Sequence, residues 1–217
     1  MSASTAELGL AHRFVPAPHS GAARTLLLLH GTGGDENDLL PLGRTLAPDA
    51  ALLSPRGRVV ENGMPRFFRR FAEGVFDVED LRARTHELAD FVAAASTLYR
   101  FDPARVIAVG FSNGANIAAS TLLLRPHTLA AAVLLRAMVP LVPEDPPDLH
   151  GVSVLISAGR FDPIAGPEQT RALARLLIDA GAGVTVGWHE AAHLITDGDV
   201  TAARGWLGDG RLAAERS

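Results

Sequence analysis

Gly110-Phe111-Ser112-Asn113-Gly114 forms a G-x-S-x-G pattern. That spacing suits a serine held on a sharp turn between a strand and a helix. In such a turn, side chains two residues to either side of the serine would collide, which accounts for the two glycines. The run before it, RVIAVG, is short and apolar; the run after it, ANIAASTLLL, is helical in character, with small residues at Ala115 and Ala118. The helix presents its positive N-terminal end to negative charge developing near the serine. Ser112 is therefore a candidate nucleophile. It needs a base to take its proton and an acid to orient that base, and in strand–turn–helix sites of this kind they follow in the order serine, carboxylate, histidine.

Two downstream loops supply that order. Asp162 stands just beyond the apolar run SVLISAG (153–159), where Asp-Pro starts a turn. Glu144, Asp145 and Asp148 are weaker alternatives in a proline-rich stretch. The histidine comes from VTVGWHEAAHLITDG (184–198), which also spells H-E-x-x-H at His189, Glu190 and His193. On a continuous helix that motif would bind zinc, with the glutamate as base. The preceding GVTVGW, however, alternates and is β-branched, so His189 is expected at a strand end. Thr196 and Asp199 occupy the positions that the extended zinc motif gives to glycine and histidine. The glutamate that follows, Glu215, lies near the C-terminus, a poor place for a ligand. His193, a few residues past the strand, has room to reach Ser112 and is the expected base.

The oxyanion of an acyl-transfer intermediate would be held by the Asn113 backbone N–H and a second amide from an early loop. LLLLHGTGGDEND (26–38) is the natural supplier, because its glycines let the backbone turn N–H groups inward. It lacks the Lys-Ser/Thr of a Walker motif and the third glycine of a dinucleotide fingerprint. His30 is expected to be a structural, hydrogen-bonded histidine.

Positioning these residues requires a scaffold, and the apolar pattern describes one. Residues 25–30, 51–55, 105–110, 130–135, 153–159 and 183–188 are brief apolar runs, as in strands of a parallel sheet covered on both faces. Between them, residues 79–98 repeat apolar side chains near a 3.6 period, with Asp77 as N-cap. Pro167 and Gly181 bracket another helix. The expected fold is α/β: an open, mainly parallel sheet with helices on both faces and no large lid, forming a single domain over 1–217 with its core at about 24–207. Residues 56–76 and 139–150 are irregular and follow strands, where such sheets place their binding crevice.

Composition narrows the function classes. The 217 residues carry a net charge of −4, which speaks against a nucleic-acid partner. There is no cysteine, which excludes disulfides, thiolate–zinc sites and a cysteine nucleophile. The first residues do not read as a secretory signal, and no apolar run is long enough to span a bilayer, so a cytoplasmic protein is expected. Substrate contacts are harder to read. MPRFFRRFAEGVF (64–76) offers Phe67, Phe68, Phe71 and Phe76 beside Arg66, Arg69 and Arg70. These could form an apolar pocket with a cationic rim, but a loop packed by its own aromatics fits better. Arg136 ends a buried strand and must be paired there, by Glu73, Glu79, Asp80 or a substrate carboxylate. Arg136, Phe68 and Phe161 are the candidate substrate contacts.

Taken in order, LLLLHGTGGDENDLLPL, LLSPRG, VIAVGFSNGANIAAS, LISAGRFDPI and HEAAHLIT resemble the phospholipase/carboxylesterase group of small serine α/β-hydrolases, which includes bacterial carboxylesterases and acyl-protein thioesterases. PRGRVVENGMPRFFRR together with LLRAMVP is similar to a bacterial esterase branch associated with hydroquinone resistance. The resemblance implies an α/β-hydrolase fold, a triad of Ser112, Asp162 and His193, oxyanion amides at Thr32 and Asn113, a small ester substrate and no cofactor. It leaves a homodimer open. Asn113 stands where glutamine is frequent, and Ala192 where glycine is frequent, which puts the geometry of the histidine loop in question. The expected activity is hydrolysis of small or medium carboxylic esters through an acyl-enzyme. A thioesterase or lysophospholipase using the same triad, a zinc peptidase and a non-catalytic hydrolase-fold binding protein are the alternatives.

Overall fold

The computed structural model describes residues 8–19 and 24–209; the opening residues 1–7 and Glu215, both of which bear on the sequence reading, lie outside the described residues. In chain order the elements are β1 (His12–Val15), β2 (Thr25–Leu29), α1 (Leu40–Leu46), β3 (Ala51–Pro55), β4 (Val59–Glu61), β5 (Met64–Arg66), β6 (Arg70–Ala72), β7 (Val75–Phe76) and α2 (Val78–Tyr99). They continue with β8 (Val106–Phe111), α3 (Asn113–Leu124), β9 (Ala131–Leu135), β10 (Ser153–Gly159), α4 (Pro167–Asp179), β11 (Gly183–His189) and α5 (Asp197–Gly208).

Seven strands form one sheet in the order β1-β3-β2-β8-β9-β10-β11. All neighbours are parallel except β1, which runs antiparallel to β3 at the edge. Alternation along each strand sends side chains to two separate cores. Leu27 and Leu29 of β2, with Ala108 and Leu134, pack against Leu88 of α2, Ile117 of α3 and Leu173 of α4. Leu26 and Leu28, with Val109 and Val133, pack on the other face with Leu46 of α1 and Leu207 of α5. Both faces are thereby covered, which is why the central strands read as unbroken apolar runs.

The order reverses at β2, which has β3 on one side and β8 on the other. In open α/β sheets the crevice beyond the carboxyl ends of strands at such a reversal is where ligands bind. The glycine-rich loop leaves β2 there and the Ser112 turn leaves β8 beside it.

Residues 56–76, expected to be irregular, contain two small hairpins, β4–β5 and β6–β7. The first turns at Asn62-Gly63, both at positive φ (52° and 77°), a two-residue geometry that Asn-Gly favours. Residues 139–150 carry no regular element, as expected. Among the described residues, no helix is long and apolar enough to cross a membrane.

Candidate active site

The nucleophile turn follows from two close approaches. A Cβ at Gly114 would overlap the Leu29 carbonyl oxygen, and one at Gly110 would lie 2.7 Å from the Ala115 Cα. Only glycine lets α3 start this close to β2 and β8. Between them Ser112 has φ 52° and ψ −112°, a strained backbone costing on the order of 1–3 kcal/mol. The turn is pinned by the Ser112 amide, which donates to Leu135 O at 2.9 Å. Asn113, the first residue of α3, has an amide with no acceptor inside the helix.

Ser112, His193 and Asp162 form a continuous hydrogen-bonded line. Ser112 Oγ lies 2.8 Å from His193 Nε2, and His193 Nδ1 lies 2.8 Å and 3.0 Å from Asp162 Oδ2 and Oδ1. A carboxylate only accepts, so Nδ1 carries the proton and Nε2 is left to accept from the serine hydroxyl. The Asp162 side chain is fully buried and that of His193 is 16% exposed. Asp162 Oδ1 also accepts from the Ile164 and Ala165 amides at 2.8 Å and 2.9 Å, which fixes the carboxylate within its own turn. Such a line can deprotonate a serine and hold the resulting imidazolium.

The H-E-x-x-H match dissolves in the backbone. His189 ends β11, residues 190–196 are bends and coil, and α5 begins only at Asp197. Glu190 forms a half-exposed ion pair with Arg160 at 2.9 Å. Of the weaker acid candidates, Asp148 pairs with His150 on the surface, away from the line.

The glycine-rich loop is braced from three sides. His30 is buried; its Nδ1–H donates to Gly31 O at 2.6 Å and its Nε2 accepts from the Gly57 amide at 3.0 Å. Burial pushes its pKa below the ordinary 6.5, so it stays a neutral structural histidine. The Gly33 amide donates to Pro65 O at 2.9 Å, and Arg66 Nη1 donates to Thr32 Oγ1 at 2.8 Å. The β4–β5 hairpin thus holds the loop that carries Thr32. Arg66 itself is buried and pairs with Glu61 at 3.3 Å.

A narrow cleft opens over Ser112 and His193, bordered by Thr32, Asn113, Arg70, Phe76, Met138 and Ile164. Of these, Phe76, Met138 and Ile164 provide apolar walls; Phe76 belongs to the aromatic stretch noted in the sequence, whereas the sequence reading does not single out Met138 and Ile164. Three expectations need correction. Phe68 is fully buried with its ring edge-on to Phe76, so it supports the cleft wall from behind and cannot touch a ligand. Arg136 borders the cleft, but its fully buried guanidinium is occupied by Asp199 at 2.7 Å. Neither Glu73, Glu79, Asp80 nor a substrate carboxylate is its partner. Phe161 is 68% exposed on the surface beside the histidine loop rather than on the cleft wall.

Two asparagines escaped the sequence reading as anchors. Asn113 Oδ1 accepts from the Phe67 amide at 2.7 Å, and Asn116 Oδ1 accepts from the Met138 amide at 2.8 Å. Both lie in the buried first turn of a largely apolar helix. Buried polar side chains there must find partners, a signal that loops would be tied to this turn.

No family model matches the chain. It is 51% identical over 181 residues to MhqD of Bacillus subtilis (strain 168), named as a hydrolase, covering 83% of this chain and 90% of the relative. A crystal structure of the Bacillus cereus carboxylesterase superposes with a TM-score of 0.91 at 46% identity, over 94% of this chain and 96% of that one. A carboxylesterase from Mesorhizobium loti does so with a TM-score of 0.86 at 35% identity, over 91% and 94%. The chain therefore belongs to the phospholipase/carboxylesterase family of α/β-hydrolases and is a hydrolase.

Proposed function

We propose that the protein is a serine carboxylesterase that hydrolyses small or medium carboxylic esters through an acyl-enzyme. The observation that carries this reading is the unbroken line from Ser112 Oγ through His193 to the buried Asp162 carboxylate, each link 3.0 Å or shorter. His193 takes the Ser112 proton as Oγ attacks the ester carbonyl, and the backbone amides of Thr32 and Asn113 receive the oxyanion. The imidazolium, held by Asp162, then protonates the departing alcohol. Water repeats the sequence on the acyl-enzyme, with His193 again as base, and releases the acid. One oxyanion donor of this kind is worth about 3 kcal/mol.

Supporting the small-substrate reading, the cleft is narrow, and Phe76, Met138 and Ile164 give it apolar walls against which an acyl group can pack. The test is intact mass after incubation with a fluorophosphonate, together with hydrolysis of p-nitrophenyl esters of increasing chain length. A single adduct and turnover on the wild type, both lost in Ser112→Ala, are expected. Turnover that survives in Ser112→Ala would overturn the reading.

A further inference from the structure

The loop that carries His193 has little structure of its own. Between β11 and α5 its internal backbone bonds are the short-range Ala191 amide to His189 O and Leu194 amide to Ala192 O. From outside, the Phe161 amide ties Ala191 O at 3.1 Å, which holds the loop upstream of the imidazole but not downstream of it.

Arg136 is the first residue after β9 and has a φ of 57°. Its amide and its Nη1 both donate to Ser157 O, at 2.9 Å and 3.1 Å. Its Nη1 and Nη2 form a two-pronged pair with Asp199 at 2.7 Å and 2.8 Å, and its Nε donates to Ala192 O at 3.0 Å. Asp199, at the start of α5, accepts in addition from Ser157 Oγ at 2.6 Å and from the amide and hydroxyl of Thr196 at 2.7 Å and 2.6 Å. Ala192 and Thr196 bracket His193. One ion pair therefore clamps the loop on both sides of the histidine and ties it to the ends of β9 and β10.

We propose that the Arg136–Asp199 pair is a positioning latch for His193, resting on the serine-esterase reading above. Stability alone gives little reason for such a pair, because two buried charges lose about as much in desolvation as they recover, and well-packed apolar residues often do as well. What apolar residues cannot supply is a directed donor at Ala192 and a directed acceptor at Thr196. Arginine suits this role where lysine does not. Its planar fork serves Asp199 with two N–H groups and leaves Nε for the loop carbonyl, whereas lysine offers a single point charge. Burial pushes the Asp199 carboxyl up, but the hydrogen bonds from Arg136, Ser157 and Thr196 outweigh it and hold it well below the ordinary carboxylate range. At neutral pH both members of the latch are therefore charged.

The test compares wild type with three variants: Arg136→Met combined with Asp199→Leu, Arg136→Lys alone, and Thr196→Val alone. Active sites are titrated with a fluorophosphonate, kcat and KM are measured on p-nitrophenyl acetate per titrated site, and the His193 Nδ1 proton is followed by NMR. The double variant removes both charges together but leaves the Ser157 hydroxyl and the Thr196 amide without their acceptor, so it is expected to fold with a melting temperature a few degrees below wild type. Its kcat per site should fall by about 100-fold, the scale of an ångström of misplacement in a catalytic group, with KM nearly unchanged. Arg136→Lys and Thr196→Val should each lose about tenfold in kcat by the same route. In all three the Nδ1 proton resonance should broaden or shift. A merely structural role would lower the melting temperature and the number of titratable sites but leave kcat per site and the resonance alone, and that result in any folded variant overturns the latch. If wild type neither labels nor turns over, the esterase reading has failed instead. The Nδ1 resonance of the variants then still decides the latch.

Discussion

Replacing Asp162 by asparagine should disable the site while leaving its shape intact. The reason lies in which oxygen does what. Oδ1 accepts from the Ile164 and Ala165 amides at 2.8 Å and 2.9 Å. An asparagine must keep its carbonyl oxygen there, since turning the NH₂ toward two N–H donors would leave all three unsatisfied. The NH₂ then falls where Oδ2 stood, 2.8 Å from His193 Nδ1. A donor at that distance favours the ring tautomer whose proton sits on Nε2, and that nitrogen can no longer accept the Ser112 proton. Oδ1, at 3.0 Å from Nδ1 and already serving two amides, is a poor substitute. Forcing the wrong tautomer in a serine triad costs about 10⁴-fold in kcat, which at 1.36 kcal/mol per decade is about 5.4 kcal/mol of barrier. The assay is p-nitrophenyl butyrate hydrolysis by wild type and Asp162→Asn, with thermal melts of both. The expectation is a rate loss of three to four decades, by rough count, at nearly constant melting temperature. A folded Asp162→Asn enzyme within about tenfold of wild type would refute both the tautomer assignment and the role of His193 as base.

Other consequences follow from the same geometry. Ser112 sits at φ 52° and ψ −112°, so Ser112→Gly should melt above Ser112→Ala by about 1 kcal/mol, or about 2–4 °C, after allowing for the entropy of glycine; equal melting temperatures by calorimetry would remove the strain. Gly114→Ala puts a Cβ on the Leu29 carbonyl and 2.6 Å from that of His30, so a loss of at least about 2 kcal/mol in chemical denaturation is expected, and a wild-type curve would contradict it. Asp199 has a folded-state pKa depressed below the ordinary 3.8. The stability it contributes is fully present above that value and is lost as pH falls through the native one. The denaturation gap between wild type and Asp199→Asn should therefore be wide at neutral pH and narrow below 3.8; a gap that does not change with pH would count against the linkage.

Six of the seven sheet strands are legible in the sequence: five because burial on both faces leaves mostly apolar residues between turn signals, as in Leu26–Leu29 and Ala131–Leu135, and the partly exposed edge strand β11 because it alternates and is β-branched. The seventh, β1, is four residues at an antiparallel edge with only His12 buried, too short and too mixed to show a period. The helix over Val78–Tyr99 is legible from its period and from Asp77, whose carboxylate accepts the Asp80 amide. Helix α5 does not stand out, since Gly198, Gly205 and Gly208 lower its propensity; its capping box at Thr196 and Asp199 is nonetheless a readable signal. The hairpin turn at Asn62-Gly63 is another, but strands of three residues carry no alternation to confirm it. In the candidate site, serine, aspartate and histidine follow the parallel strands β8, β10 and β11 in turn, which places all three at the carboxyl edge of the sheet, and the structure brings Ser112, Asp162 and His193 together. Phe68 misleads because an aromatic behind a wall and one on its surface look alike in sequence.

The pairing of Arg136 shows where sequence reasoning stops and why. Burial at a strand end demands an anion, and the acids that suggest themselves are those of the hairpin region and the α2 N-terminus. The actual partner, Asp199, lies 63 residues away and shows in the sequence as a capping residue and as a mismatch to the extended zinc motif, with nothing to link it to Arg136. Charge balance says that a partner must exist; only the sheet order, which sets β9 beside β10 and β10 beside β11, says which loop provides it. The same order gives the histidine loop two buried carboxylates with separate roles. Asp162 meets the ring of His193 directly, while Asp199, through Arg136 and Thr196, holds the backbone on either side of it. Without the Arg136–Asp199 pair the loop would keep only upstream ties, the Phe161 amide on Ala191 O at 3.1 Å and the Glu190–Arg160 ion pair at 2.9 Å, and would lose its anchors at Ala192 and Thr196. Ala192, standing where relatives of this type are expected to have glycine, contributes its carbonyl rather than its side chain to the latch, so that departure leaves the geometry of the loop intact.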